Sequence, residues 1–145
     1  MTTHRSPLLA DETILVGRVL LVLLFLIFGW DKLTNFGGTA AYMAHTGVPL
    51  PGLATLIAII MEVFVALAIL LGAATRPLAL LMALYTLGTA LLGHHFWTMT
   101  GMARYESAIN FYKNISIIGG FFLLYVTGPG RYALEARNAR LSVWP

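Results

Sequence analysis

No cysteine occurs in these 145 residues, which removes thiol–disulfide exchange and cysteine-ligated iron–sulfur clusters from the chemistry this chain can perform by itself. Charge is scarce too. Asp, Glu, Lys and Arg together make up 10% of the residues, well under the roughly 25% of soluble domains. A glycine-rich nucleotide loop, a serine nucleophile elbow and a zinc motif are all missing, so a redox role would need a borrowed cofactor. What is abundant is apolar: 59% hydrophobic residues and a mean hydropathy of +0.82, against roughly 45–50% apolar usage in water-soluble proteins.

The apolar residues gather into four runs, at about residues 13–32, 53–71, 77–94 and 110–127. Each matches the roughly 20 residues that cross a hydrocarbon layer about 30 Å thick. Lipid cannot hydrogen-bond a backbone, and no alternating barrel pattern is visible, so the runs must be helices. The expected fold is all-α: an integral membrane four-helix bundle, one domain over residues 1–145, with the lipid bilayer as its main solvent. The first run is expected to be retained, because no small-x-small cleavage site follows it and Asp31 and Lys32 close it.

Between the second and third runs lies only "GAATR" before Pro77, where glycine stops one helix and proline starts the next, so these two helices should be antiparallel neighbours. In the first loop, residues 39–45 are expected to form a short interfacial helix, with Gly37-Gly38 as a turn before it. Phe96, Trp97 and Tyr105 suit the headgroup boundary. Four spans put Arg5, Arg76, Arg131, Arg137 and Arg140 on one side and only Arg104 on the other. Excess cation marks the cytoplasmic face, so both termini are expected to be cytoplasmic. Arg76 and the basic tail, residues 128–145, then face anionic headgroups, and the net charge of +3 reflects topology. No nucleic-acid partner is expected.

A central charge costs about 2.5–3.5 kcal/mol in hydrocarbon even on lenient scales, so the polar residues within the spans should face one another or a wet cavity. In "AINFYKNISIIGG", Asn110, Lys113 and Asn114 fall at spacings of three and four, one helical stripe. Glu62, mid-way along the second run, is the expected partner of Lys113, the depth difference of about 8 Å being within reach of two long side chains. Lys32, Glu62, His94, Lys113 and Asn114 are the candidates for ligand binding or proton handling. The same cluster could instead lock the helices together. Arg18 reads as structural or as snorkelling to headgroups, and Asp31 beside Lys32 as an interfacial pair. His94 and His95 are about 100° apart on a helix and do not suit one metal, so no metal site is expected. Tyr42, Tyr85, Thr86 and Thr89 read as packing and interhelical hydrogen-bond residues, and Gly119-Gly120 as a close helix approach.

The ordered set "GRVLLVLLFLIFGWDKL", "HTGVPLPGLATLIAIIMEVFVALAILLGAATRPLALL", "HHFW" and "YKNISIIGGFFLLYVTGPGRYALEA" resembles the DoxX family, small four-helix bacterial inner-membrane proteins related to the Surfeit-locus-4 type. The likeness covers nearly all of residues 13–135. It matches Arg18, Lys32, Glu62, Lys113, Asn114, Gly119 and Gly120 to family positions, together with a histidine that is His94 or its neighbour His95, His94 being preferred. The resemblance implies a link to membrane oxidoreductase systems, including thiosulfate:quinone oxidoreductase subunits. Quinone is then the implied cofactor, and membrane or soluble redox proteins, or further copies of the chain, are the implied partners. In that setting Lys113, His94 and Asn114 would donate to quinone carbonyls while Glu62 or Lys32 handled protons. A small-molecule or anion transporter and an assembly subunit are the alternatives.

Overall fold

The computed structural model describes the backbone of residues 7–141 and the side chains of residues 10–137. Arg5 and the side chain of Arg140, both used in the charge count, lie outside the described residues. Every regular element described is helical: α1 (Pro7–Thr34), α2 (Phe36–His45), α3 (Pro51–Leu71), α4 (Thr75–Gly93), a short 3₁₀ turn (Phe96–Thr98), α5 (Gly101–Thr127) and α6 (Leu134–Leu141). Four of these are long and apolar enough to cross a membrane: α1, α3, α4 and α5.

The four long helices close a ring in which α1 packs on α3, α3 on α4, α4 along α5, and α5 back on α1. Phe25 of α1 meets Phe121 of α5 with ring centroids 5.7 Å apart, while Ile69 and Met82 fill the space between α3 and α4. Gly120 makes the α1–α5 approach close, since a Cβ there would lie 2.9 Å from Leu21. The outer surface is the reverse of a soluble protein's: Leu20, Phe28, Leu84, Leu123 and Val126 are all at least half exposed. In a bilayer such residues contact acyl chains.

Several elements differ from the sequence expectation. Gly37 and Gly38 form no turn; they lie in the first turn of α2, whose N-terminus Asn35 caps by accepting a hydrogen bond from the Gly38 N–H at Oδ1, 3.2 Å. Helix α5 starts nine residues before the apolar run, at Gly101, because polar side chains are no obstacle to a helix once it leaves the hydrocarbon. Residues 60–65 of α3 are π-helical, the Ala66 N–H reaching back five residues to the Met61 carbonyl. Nothing between residues 53 and 71 announces this, as the run holds neither glycine nor proline.

At the end of the bundle where the chain enters and leaves, the segment after α5 is folded back and fastened. Arg18 donates from Nη1 to the Pro129 carbonyl and from Nη2 to the Tyr132 carbonyl, each 2.6 Å. The Arg131 N–H donates to Asp11 Oδ1 at 2.9 Å, the Glu135 N–H to the Gly72 carbonyl at 3.1 Å, and the Thr75 N–H to Glu135 Oε1 at 2.5 Å. The snorkelling of Arg18 is therefore corrected. It is 2% exposed and directs its guanidinium to two backbone carbonyls of the returning chain. Gly72 makes this tight, with φ at +73° and the position of its missing Cβ only 2.8 Å from Arg18 Nη1.

Candidate functional site

Glu62 is the organising residue. The π-helical turn that carries it packs against Gly29 of α1 so closely that a Cβ on Gly29 would lie 2.8 Å from the Glu62 backbone carbon. One turn further along α1, on the same face, Lys32 reaches Glu62 Oε2 with Nζ at 2.7 Å. Tyr85, near the middle of α4, donates its hydroxyl to Glu62 Oε1 at 2.6 Å. Both carboxylate oxygens are thus occupied, one by a cation and one by a phenol. Such a fully bonded ion pair is the arrangement that offsets the desolvation of a buried charge.

The expected pairing of Glu62 with Lys113 is corrected by this geometry, as is the expected pairing of Lys32 with Asp31. Lys113 bonds along its own helix instead, Nζ donating to Asn110 Oδ1 at 2.8 Å. Two lysines lie within reach of Glu62 by depth, and the close approach at Gly29 decides for the nearer one.

The candidates nonetheless share one space. A cavity of about 460 Å³ is lined by Lys32, Glu62, His94, Lys113 and Asn114, by Tyr85 and Thr89 of α4, and otherwise mainly by apolar side chains such as Leu24, Phe25 and Ile57. Helix α2 contributes Thr39, Tyr42 and Met43 to the same wall, and none of its residues is buried. A smaller space of about 380 Å³ adjoins it, lined by Asp31, Asn35 and Gly38 and sharing Phe28, Lys32, Thr39 and Tyr42.

Along the opposite wall no polar group has a partner on another helix among the described residues. Asn114 is 8% exposed, lines the cavity, and has no hydrogen-bond partner among the described residues. Lys113 both lines the cavity and is exposed, so it stands at the mouth, without a carboxylate partner among the described residues. His94 follows the last turn of α4 and borders the cavity, whereas His95 does not line it, its Nδ1 lying 3.0 Å from the Leu92 carbonyl and its ring centroid 6.4 Å from that of Trp97. Among the described residues no group of three potential metal ligands forms. Arg18 and Arg76 lie outside the cavity; Arg76 is exposed and rests against Gly128.

Sequence reasoning misses three contributors. Tyr85 reads as a packing and interhelical hydrogen-bond residue and does make such a bond, but the sequence does not name Glu62 as its acceptor. Gly29 gives no signal beyond being a glycine in a span, and the π-helical turn gives none.

Chemically, the site offers donors on one wall and, on the other, a Glu62 carboxylate already bonded at both oxygens. A ligand seated there would place hydrogen-bond-accepting atoms toward Asn114, Lys113 and His94 and an apolar body against α1 and α3. This is the usual composition of a small-molecule site, mostly apolar with a few placed polar groups.

The DoxX family pattern matches residues 13–95. Inner membrane protein YphA of Escherichia coli (strain K12) is 53% identical over 124 residues, covering 86% of this chain and 89% of that protein. Inner membrane protein YqjF of the same organism is 42% identical over 127 residues, covering 88% of this chain and 92% of that protein. No solved structure matches the chain.

Proposed function

Since this chain belongs to the DoxX family of inner-membrane proteins, we propose that it is a membrane subunit of a quinone-linked oxidoreductase system and seats a quinone headgroup in the cavity between α1, α3, α4 and α5. The observation that carries this reading is Asn114, a residue 8% exposed whose amide opens onto a mainly apolar cavity and has no hydrogen-bond partner among the described residues. The amide atoms open onto the cavity, so a ligand carbonyl there would add a hydrogen bond worth about 0.5–1.5 kcal/mol. Lys113 and His94 border the same space and would donate to the second carbonyl. The Lys32–Glu62–Tyr85 group holds protons on hydrogen-bonded oxygens and nitrogen at the other wall, and the apolar lining suits a ring and the first part of a lipid tail. In this reading a partner protein supplies the redox centre that exchanges electrons with the quinone.

The test is direct. Protein purified in mild detergent should carry quinone, detected by extraction and mass spectrometry, and Lys113→Ala should weaken rebinding about tenfold, the worth of one charge-assisted hydrogen bond in a partly dry site. Equal binding by the variant and the parent would remove the site from consideration.

A further inference from the structure

Resting on that reading, we propose that the cavity is selective for a ligand whose head is ionised, an anionic amphiphile such as an acidic hydroxyquinone, and that Lys113 sets this selectivity. The charged groups lining the cavity are Lys32, Glu62 and Lys113. Lys32 and Glu62 neutralise each other at 2.7 Å, which leaves Lys113 as one uncompensated positive charge when His94 is neutral. Asp31, the nearest acidic residue in sequence to the site, lines the adjoining smaller space and not this one.

The acceptors point the same way. Tyr85 and Lys32 each bond one Glu62 oxygen, so the carboxylate is already neutralised and hydrogen-bonded at both oxygens before a ligand enters. Asn110 Oδ1 is turned to Lys113 Nζ. Beside the hydroxyls of Thr39, Tyr42, Thr46 and Thr89, which serve charged and neutral heads alike, the groups facing a ligand are an ammonium, the Asn114 amide and an imidazole, and of these the ammonium favours a head that brings negative charge.

Depth strengthens the preference. A span of about 20 residues that ends at Thr127 begins near Ala108, which places Lys113 roughly 8 Å inside the hydrocarbon boundary. There an unpaired ammonium is costly, and a counter-anion recovers more than it would in water. A neutral quinone carbonyl would still bond Asn114, but it would leave the Lys113 charge uncompensated.

Two matched probe pairs separate the ideas: 2-hydroxy-1,4-naphthoquinone, ionised at neutral pH, against 2-methoxy-1,4-naphthoquinone, and decanoate against decanamide. Affinities are measured by calorimetry on the full chain in zwitterionic nanodiscs, with empty discs subtracted. The ionised member of each pair should bind about tenfold more tightly, and Lys113→Gln should bring the ratio near one while Asn114-dependent binding of the neutral member persists. Thermal unfolding of Lys113→Gln confirms that it folds, and Arg104→Gln, remote from the cavity, should leave the ratio unchanged. Equal affinities within each pair, binding of none of the four probes, or a ratio that survives Lys113→Gln would overturn the proposal. The quinone reading fails separately, if decanoate binds and neither naphthoquinone does.

Discussion

Removing either end of the Lys32–Glu62 bridge breaks the same 2.7 Å contact, yet the two losses should differ in size. In Lys32→Met the Glu62 carboxylate, its side chain 9% exposed, keeps Tyr85 but loses the only cation that touches it among the described residues. Stranding a buried charge costs about 3–5 kcal/mol, and the adjoining space that admits water to this corner puts the expectation near the lower end, about 3 kcal/mol. In Glu62→Gln the amide can still accept from Tyr85. Lys32 then keeps Phe28 O at 3.3 Å and a side chain 22% exposed beside the smaller cavity, so the loss should be only about 1–2 kcal/mol. Tyr85→Phe removes one hydrogen bond to a charged acceptor, about 2 kcal/mol. The double variant Lys32→Met/Glu62→Gln strands nothing, and its cost should fall short of the sum of the singles by about 2 kcal/mol. Equilibrium unfolding in mixed micelles with rising SDS, followed by circular dichroism, measures all four. A Glu62→Gln loss as large as that of Lys32→Met, or strict additivity in the double variant, would refute the account of the site as a buried pair with one wet end.

Other contacts carry further expectations. Gly29→Ala drives a methyl to 2.8 Å from the Glu62 backbone, so α1 must move off the π-helical turn; we expect a loss of about 1–3 kcal/mol in the same unfolding assay, and quinone rebinding weakened along with it. Arg18→Met releases the Pro129 and Tyr132 carbonyls, and limited trypsin digestion of the detergent-solubilised protein should cut at Arg131 several-fold faster than in the parent, whereas an unchanged rate would deny Arg18 its role as a clasp. Arg76, Arg131 and Arg137 lie toward the end of the bundle where α1 begins and α5 ends, which we read as cytoplasmic; a fluorescent protein fused after residue 145 should therefore glow and an alkaline phosphatase fused there should stay inactive.

The spans are legible because hydrocarbon imposes a length and forbids unpaired backbone, and both leave marks in composition. The stripe Asn110, Lys113 and Asn114 is legible for the same reason, since polar residues in lipid must share a face. The clasp of residues 129–135 onto Arg18, Gly72 and Thr75 is not. Its bonds run mainly to backbone carbonyls and N–H groups, which every residue possesses, so no side-chain pattern encodes them. The π-helical turn at residues 60–65 is equally silent, because an inserted residue leaves the apolar run unbroken and changes only the angular phase of residues 66–71.

Which lysine meets Glu62 is the consequential ambiguity, and depth along the membrane normal does not resolve it. Lateral separation does. The missing side chain at Gly29 lets α1 touch the backbone that carries Glu62, and Lys32, three residues on, inherits that proximity. Lys113 sits on α5, which meets α1 and α4 but makes no comparable approach to α3. The ring order therefore assigns one lysine to neutralise the carboxylate and leaves the other at the cavity mouth. Exchanging their environments should exchange their roles. In Lys32→Met, where the carboxylate is left without its cation, Lys113 becomes the only ammonium lining the cavity, and any ligand anion must compete with Glu62 for it. The preference for an ionised head should therefore shrink in Lys32→Met, although Lys113 itself is intact. A preference fully retained in that variant would mean that the two walls of the cavity are electrostatically independent, contrary to the shared space that the fold gives them.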